Sequence, residues 1–220
     1  KNRGHGGYDG YFDSAGRWTG DCPEPGPGRI HIVDVAAQQW PYVYDFQHRL
    51  VLAEGGRRSG KSFALTSKAA LCMLHMPWTR GVLLGPTYRQ IRNVWGHLRR
   101  LVPRHWFLPG TLGVNPTNKT MRFVDGAEAV LLHAFRDDAA RSEGSSWGGY
   151  DERQDISEMA AANAMLSTSE AGADFMIFET ATIKPGLRDH HDRVEDSPHG
   201  AIYRMTSRGN PFVSHELFSF

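Results

Sequence analysis

The chain has 220 residues, 40% hydrophobic and 22% charged, with 25 Lys and Arg against 24 Asp and Glu. That length buries a sizeable core as one domain, or one domain with an extension, and no run approaches the roughly 20 apolar residues of a membrane-spanning helix. Two cysteines, Cys22 and Cys72, argue against a disulfide framework and a four-ligand zinc site, and a reducing cytoplasm fits them best. The chain starts at Lys1 with no signal-peptide pattern, which reads as the interior of a longer protein.

The near-neutral total hides a sorting of charge. From Gly55 to Val124 there are twelve basic residues and no acid, whereas Asp125 to Asp196 holds sixteen acids against six bases. An acid-free stretch of this length is either a basic face for phosphate or nucleic acid or a solvated surface balanced by the acidic half after folding.

Residues 1–29 are rich in Gly, Pro, Tyr and Asp without periodicity, and read as an irregular N-terminal extension. The folded domain is expected over 30–220. Leu50-Val51-Leu52-Ala53 predicts a buried strand ending at Gly55-Gly56, and residues 61 to about 76 a helix stopped by Pro77. Residues 81–85 predict a second buried strand. Ile91, Val94, Trp95, Leu98 and Leu101 mark the next helix by their three- and four-residue spacing. Strand, helix, strand, helix implies parallel pairing with crossover helices. Alternating segments at 120–124 and 128–133 flank Asp125-Gly126, the turn dipeptide of a two-residue hairpin, so an antiparallel ribbon is expected as an insertion. An Ala- and Met-rich helix at about 157–166 then precedes a third core strand at 175–178. The expected fold is α/β, a mostly parallel central sheet flanked by helices, with an inserted β-hairpin.

Gly55-Gly56-Arg57-Arg58-Ser59-Gly60-Lys61-Ser62 fits the P-loop pattern G-x-x-x-x-G-K-[ST] and lies between a predicted strand and a predicted helix, as that motif requires. Glycines let the backbone curl around phosphate oxygens, and successive N–H groups supply positive potential. Lys61 would reach the β- and γ-phosphates of ATP, and Ser62 would ligate Mg²⁺. Hydrolysis needs carboxylates as well. Asp151-Glu152 is the best adjacent pair downstream, Asp151 for the metal and Glu152 to polarise the attacking water. The competing reading is a pair of acids opening the following helix, and Trp147-Gly148-Gly149-Tyr150 is a poor version of the hydrophobic strand that should precede such a pair. His190-His191 lacks a third metal ligand and reads as a surface loop.

Five runs, GGRRSGKSFALTSKAA, GVLLGPTYRQIRNVWGHL, YDERQDIS, IFETATIKPG and RGNPF, span residues 50–213 and resemble, in order, consecutive motifs of tailed-bacteriophage large terminases, the DNA-packaging motors. The resemblance implies an N-terminal ATPase domain that hydrolyses ATP with Mg²⁺ to drive double-stranded DNA into a procapsid. It implies that Arg57 or Arg58 contacts phosphate in cis, that Thr180-Ala181-Thr182 couples γ-phosphate loss to the fold, and that Arg141 reaches a neighbouring subunit's nucleotide. A glutamine before the first core strand should contact adenine; Gln47 is the preferred candidate, ahead of Gln38 and Gln39. Implied partners are the portal protein, the small terminase subunit and sister copies in a ring, with a monomer in isolation. The implied location is the host cytoplasm, transiently at the portal vertex. A C-terminal nuclease domain would follow in the family, and the chain shows no nuclease carboxylate cluster. The rival readings are a helicase-like or DNA-remodelling ATPase and, in another class, a small-molecule kinase.

Overall fold

A computed structural model describes residues 35–76, 78–134, 144–169, 175–211 and 213. In chain order the elements are α1 (Trp40–Val43), β1 (Leu50–Gly55), α2 (Lys61–His75), β2 (Arg80–Gly85), α3 (Tyr88–Leu101), α4 (Gly110–Gly113) and β3 (Val114–Asn115). They continue with β4 (Thr120–Arg122), β5 (Glu128–His133), β6 (Trp147–Tyr150), α5 (Glu158–Ser169), β7 (Met176–Ala181), α6 (Arg188–Glu195) and β8 (Gly200–Met205). The eight strands form one sheet in the order β3-β4-β5-β2-β6-β7-β1-β8. All neighbours from β5 to β8 pair in parallel, and β4 and β3 continue the edge antiparallel.

This topology positions the site. Parallel strands align their C-terminal ends along one edge, where ligands bind in open α/β sheets. β7 lies between β1 and β6, so the segments leaving β1, β6 and β7 meet there. The central strands are apolar runs because both faces are covered. Val51, Ala53 and Phe178 join the cluster that includes the buried positions of α2, whereas Leu52 and Ala181 pack with Val194 of α6. α2 is buried almost all round, including Lys68, which is 0% exposed. α3 is amphipathic and buries Ile91, Val94, Trp95 and Leu98.

The structure bears out the expected α/β class and the helices and strands read from periodicity, and it changes four details. Arg122 pairs with Glu128, so residues 123–127 make the hairpin connection rather than a two-residue turn. Phe123 N donates to Ala127 O at 2.8 Å, and Phe123 and Ala127 are both buried; the core claims two residues that a tighter turn would expose. β5 also pairs along its length with β2, so the ribbon extends the main sheet. Trp147-Gly148-Gly149-Tyr150, unpromising by composition, is a fully buried strand. Its glycines make room for large neighbours: a Cβ at Gly149 would lie 2.6 Å from both Leu83 Cδ2 and Phe178 Cε2. The residues read as a surface loop at His190-His191 belong to α6, with His190 buried at 6% exposure. No helix among the described residues is long and apolar enough to cross a membrane.

Candidate active site

The loop between β1 and α2 is held by its backbone. Gly60 adopts φ +91°, and a Cβ there would sit 2.3 Å from Gln39 Nε2, so only glycine fits. Ser59 is fully buried and donates its hydroxyl to Gly56 O at 2.9 Å. Arg57 and Arg58 are exposed at the crest, Arg58 at φ +64°. Their carbonyls are held from outside, where Ser207 Oγ donates to Arg57 O at 2.5 Å and Asn210 Nδ2 donates to Arg58 O at 2.7 Å.

Lys61, the first residue of α2, points its ammonium back into the loop. Nζ donates to Gly55 O at 2.8 Å, Gly56 O at 3.1 Å and Thr182 Oγ1 at 3.3 Å, and lies 4.0 Å from Glu152 Oε1. Burial lowers its pKa, opposed by the nearby Glu152 and Asp151 carboxylates. Ser62 Oγ donates to Asp151 at 2.9 and 3.1 Å from its two oxygens, and Thr180 Oγ1 donates to Asp151 Oδ1 at 2.8 Å. Asp151 is 4% exposed, and burial raises its pKa against the pull of those hydroxyls.

Glu152 follows with φ +54° and ψ +56°. A left-handed conformation at a non-glycine residue costs free energy and persists only where its surroundings impose it. They do so here. Glu152 N donates to Thr180 Oγ1 at 3.1 Å, and its Oε2 accepts from Thr182 Oγ1 at 3.2 Å and Gln154 Nε2 at 2.7 Å. Behind it, Arg153 is 2% exposed and donates to Ile156 O at 3.2 Å and Glu158 at 2.9 Å, with its Nε 3.5 Å from Glu179 Oε1. Glu179 in turn lies 2.5 Å from His190 Nε2. The Asp151-Glu152 pair therefore does not open α5; Glu152 caps a 3-10 turn at Arg153–Asp155 that intervenes before it.

The residues singled out by sequence converge with few exceptions. Lys61, Ser62, Asp151, Glu152, Thr180 and Thr182 meet in one hydrogen-bonded cluster, and Ala181 is buried between the two threonines. Gln47 is not brought to the loop: it is exposed and precedes β1 at the strand's N-terminal end, whereas the loop leaves its C-terminal end. Gln38 and Gln39 take that place, with Gln39 Nε2 donating to Gly60 O at 2.9 Å and Gln38 Nε2 to Ser59 O at 3.2 Å. Arg141 lies outside the described residues. Sequence reasoning missed Gln154, Ser207 and Asn210. Asn210 lies within the RGNPF run, so its signal was present without a role attached.

The oxygen set at Ser62 and Asp151 suits a hard divalent cation. Among the described residues no cation lies within ion-pair distance of the buried Asp151 carboxylate, which leaves its charge to hydroxyl donors. Mg²⁺ fits these residues.

The sequence matches no protein-family model, and no curated protein matches it significantly. Solved structures do match. The large terminase of a thermophilic bacteriophage superposes with a TM-score of 0.69 at 13% identity, covering 82% of this chain and 48% of that one. The ATPase domain of the Thermus phage P74-26 large terminase gives 0.61 at 17% identity, covering 76% of this chain and 78% of that domain. The chain has the fold of a large-terminase ATPase domain. The HK97 bacteriophage large terminase follows at 0.64 and 13% identity, covering 81% of this chain and 40% of that one. The chain thus spans about half the length of the thermophilic-phage terminase, 48% by aligned residues, and the shared part is the terminase ATPase fold. That same thermophilic-phage terminase has also been determined in complex with ADP and with ATP-gamma-S.

Proposed function

We propose that the chain is the motor domain of a DNA-packaging enzyme, hydrolysing ATP to ADP and phosphate and using the cycle to move duplex DNA into a procapsid. The observation that carries this reading is the placement of the Glu152 carboxylate, held by Thr182 and Gln154 and 4.0 Å from the Lys61 ammonium. The loop N–H groups and Lys61 bind the phosphates, with Lys61 exchanging its contacts to Gly55 O and Gly56 O for phosphate oxygens. Ser62 and Asp151 would hold Mg²⁺, which supplies positive charge against the β- and γ-phosphate oxygens. Glu152 orients the attacking water and accepts its proton. Thr182 touches both Lys61 and Glu152, so loss of the γ-phosphate is felt on β7, which lies between the other two site strands. Gln38 and Gln39, beside the loop, are the candidates for the adenine contact, and Arg58 for a phosphate contact in cis.

By this reading the partners are duplex DNA, a portal protein, a small terminase subunit and sister copies in a ring. The site of action is the host cytoplasm, at the portal vertex. Steady-state assays of phosphate release in the presence of candidate small-molecule acceptors test the reaction class. The expected result is ADP and free phosphate in equal amounts, dependent on Mg²⁺; stoichiometric phosphorylation of an acceptor would assign a kinase instead.

A further inference from the structure

The acid-free stretch of the sequence has a structural counterpart away from the nucleotide edge. On α3 Ile91, Val94, Trp95 and Leu98 are buried, and Arg89, Arg92, Arg99 and Arg100 are exposed. Their three- and four-residue spacing places Arg89, Arg92, Gly96 and the Arg99-Arg100 pair along one stripe of the helix. At the C-terminal end the stripe opens into a groove of about 510 Å³ lined by Gly96, Arg99, Arg100, Arg104, Leu108 and Gly110 among others, with no Asp or Glu. Among the described residues, the side chains of these three arginines find no ion-pair or hydrogen-bond partner.

Stability does not account for this face. Arg89 stands in the first turn of α3, where the helix dipole disfavours a cation and where no acid offsets it. Gly96 occupies the helix interior, a destabilising choice relative to alanine, and nothing lies within 4 Å of a Cβ built there. No neighbour requires that glycine. Across the groove, Gly110 likewise has open space around its Cβ position. A bare helix backbone flanked by three unpaired guanidinium groups suits close approach of a chain that carries repeated negative charge.

We propose that this groove binds the sugar-phosphate backbone of duplex DNA, with Arg99, Arg100 and Arg104 paired to phosphates and Gly96 admitting the strand against the helix. The identity of the polyanion rests on the DNA-moving reading above; the groove itself rests on charge and shape. Contacts of this kind carry no base readout, as a translocating motor requires. α3 leaves the catalytic edge after Gly85 and, at 14 residues, carries its C-terminal arginines about 20 Å away. DNA binding and nucleotide chemistry are therefore separable by mutation.

The test is fluorescence anisotropy with a labelled mixed-sequence duplex of about 30 base pairs, titrated between about 50 and 200 mM salt. It compares the wild-type chain, the triple variant Arg99→Ala, Arg100→Ala, Arg104→Ala, and Gly96→Gln, with melting temperature and basal ATP turnover measured beside it. The triple variant is expected to lose at least about tenfold in affinity at the lowest salt and to shed about 2 to 3 from the log–log salt slope, near 0.9 per phosphate contact. Its ATP turnover should be unchanged. Gly96→Gln is expected to melt higher and yet bind DNA several-fold more weakly, which no loss of structure can mimic. Wild-type affinity and slope in the triple variant would overturn the proposal, as would a wild-type chain that fails to bind duplex at the lowest salt. Displacement of the DNA by poly-glutamate at matched charge would reassign the groove to an acidic protein segment. A chain that binds DNA through this groove but turns over no ATP would sink the hydrolysis reading and leave this one standing.

Discussion

Thr182 stands between the two charges that matter most, accepting from Lys61 and donating to Glu152. Removing its hydroxyl with Thr182→Val deletes a hydrogen bond to a charged group, worth about 1.5 kcal/mol or tenfold in rate. Turnover should fall by about that factor while nucleotide affinity holds; equal losses in both would place Thr182 in binding alone. A second residue sets a pH limit. Burial drives His75 down from 6.5 to about 3, so the folded chain keeps it neutral while the unfolded chain takes up a proton below about 6.5. The His75 contribution is complete above that pH and drains as pH falls towards 3. Urea midpoints at about pH 7 and 4.5 should show His75→Leu losing roughly 2 kcal/mol less than wild type over that interval. Identical losses would mean that His75 titrates normally. At this scale the sequence was informative about placement where a motif sets the spacing, as at Lys61, Ser62, Asp151 and Glu152, which the fold brings together. Gln47 is not brought to the loop, because nearness to β1 in sequence says nothing about which end of the strand carries the loop.

Among elements, β6 shows how composition and burial part company. Glycine weakens a strand in isolation, but Trp147 needs the space above Gly81, where a Cβ would lie 1.9 Å from the indole, and its ring stacks on Phe178 at 5.9 Å. The sheet is tight because bulk and void alternate across strands. Gly81→Ala should therefore destabilise the chain by about 1–3 kcal/mol, the cost of overpacking, read as a shift of the denaturant midpoint; a neutral result would show that Trp147 can move aside. Strands such as β1 and β7 were legible because long apolar runs suit strands buried on both faces. α6 was not, since only His190 and Val194 of its eight residues are buried, and His190 meets the Glu179 carboxylate at 2.5 Å instead of extending an apolar stripe.

For the molecule as a whole, the sheet order brings β1, β6 and β7 to one edge while α3 carries its basic stripe away from it, which divides nucleotide chemistry from the proposed DNA surface. The proposed motor would join copies, and Arg141 is the residue proposed to act across that junction. Arg141→Ala should leave ATP affinity of the isolated chain unchanged and lower turnover only in an assembled ring, where an engaged arginine finger is worth about 10³–10⁵ in rate. Mixing Arg141→Ala with Glu152→Gln subunits should restore part of the activity, because some interfaces then pair an intact arginine with an intact carboxylate. Co-assembled mixtures that stay inactive in ATP turnover, while wild-type subunits diluted into either variant remain active, would remove the trans role.

The proposed hydrolysis depends on Glu152 being the group that activates water at an ATP site. The direct measurement is the dissociation constant of a fluorescent ATP analogue together with steady-state phosphate release, for the wild type and Glu152→Gln. The substitution keeps the size of the side chain and removes its charge. Glu152→Gln should keep affinity within about twofold of wild type and lower turnover by about 10²–10⁴. Near-native turnover in Glu152→Gln, or a loss of nucleotide binding that accounts for the whole fall in rate, would contradict it.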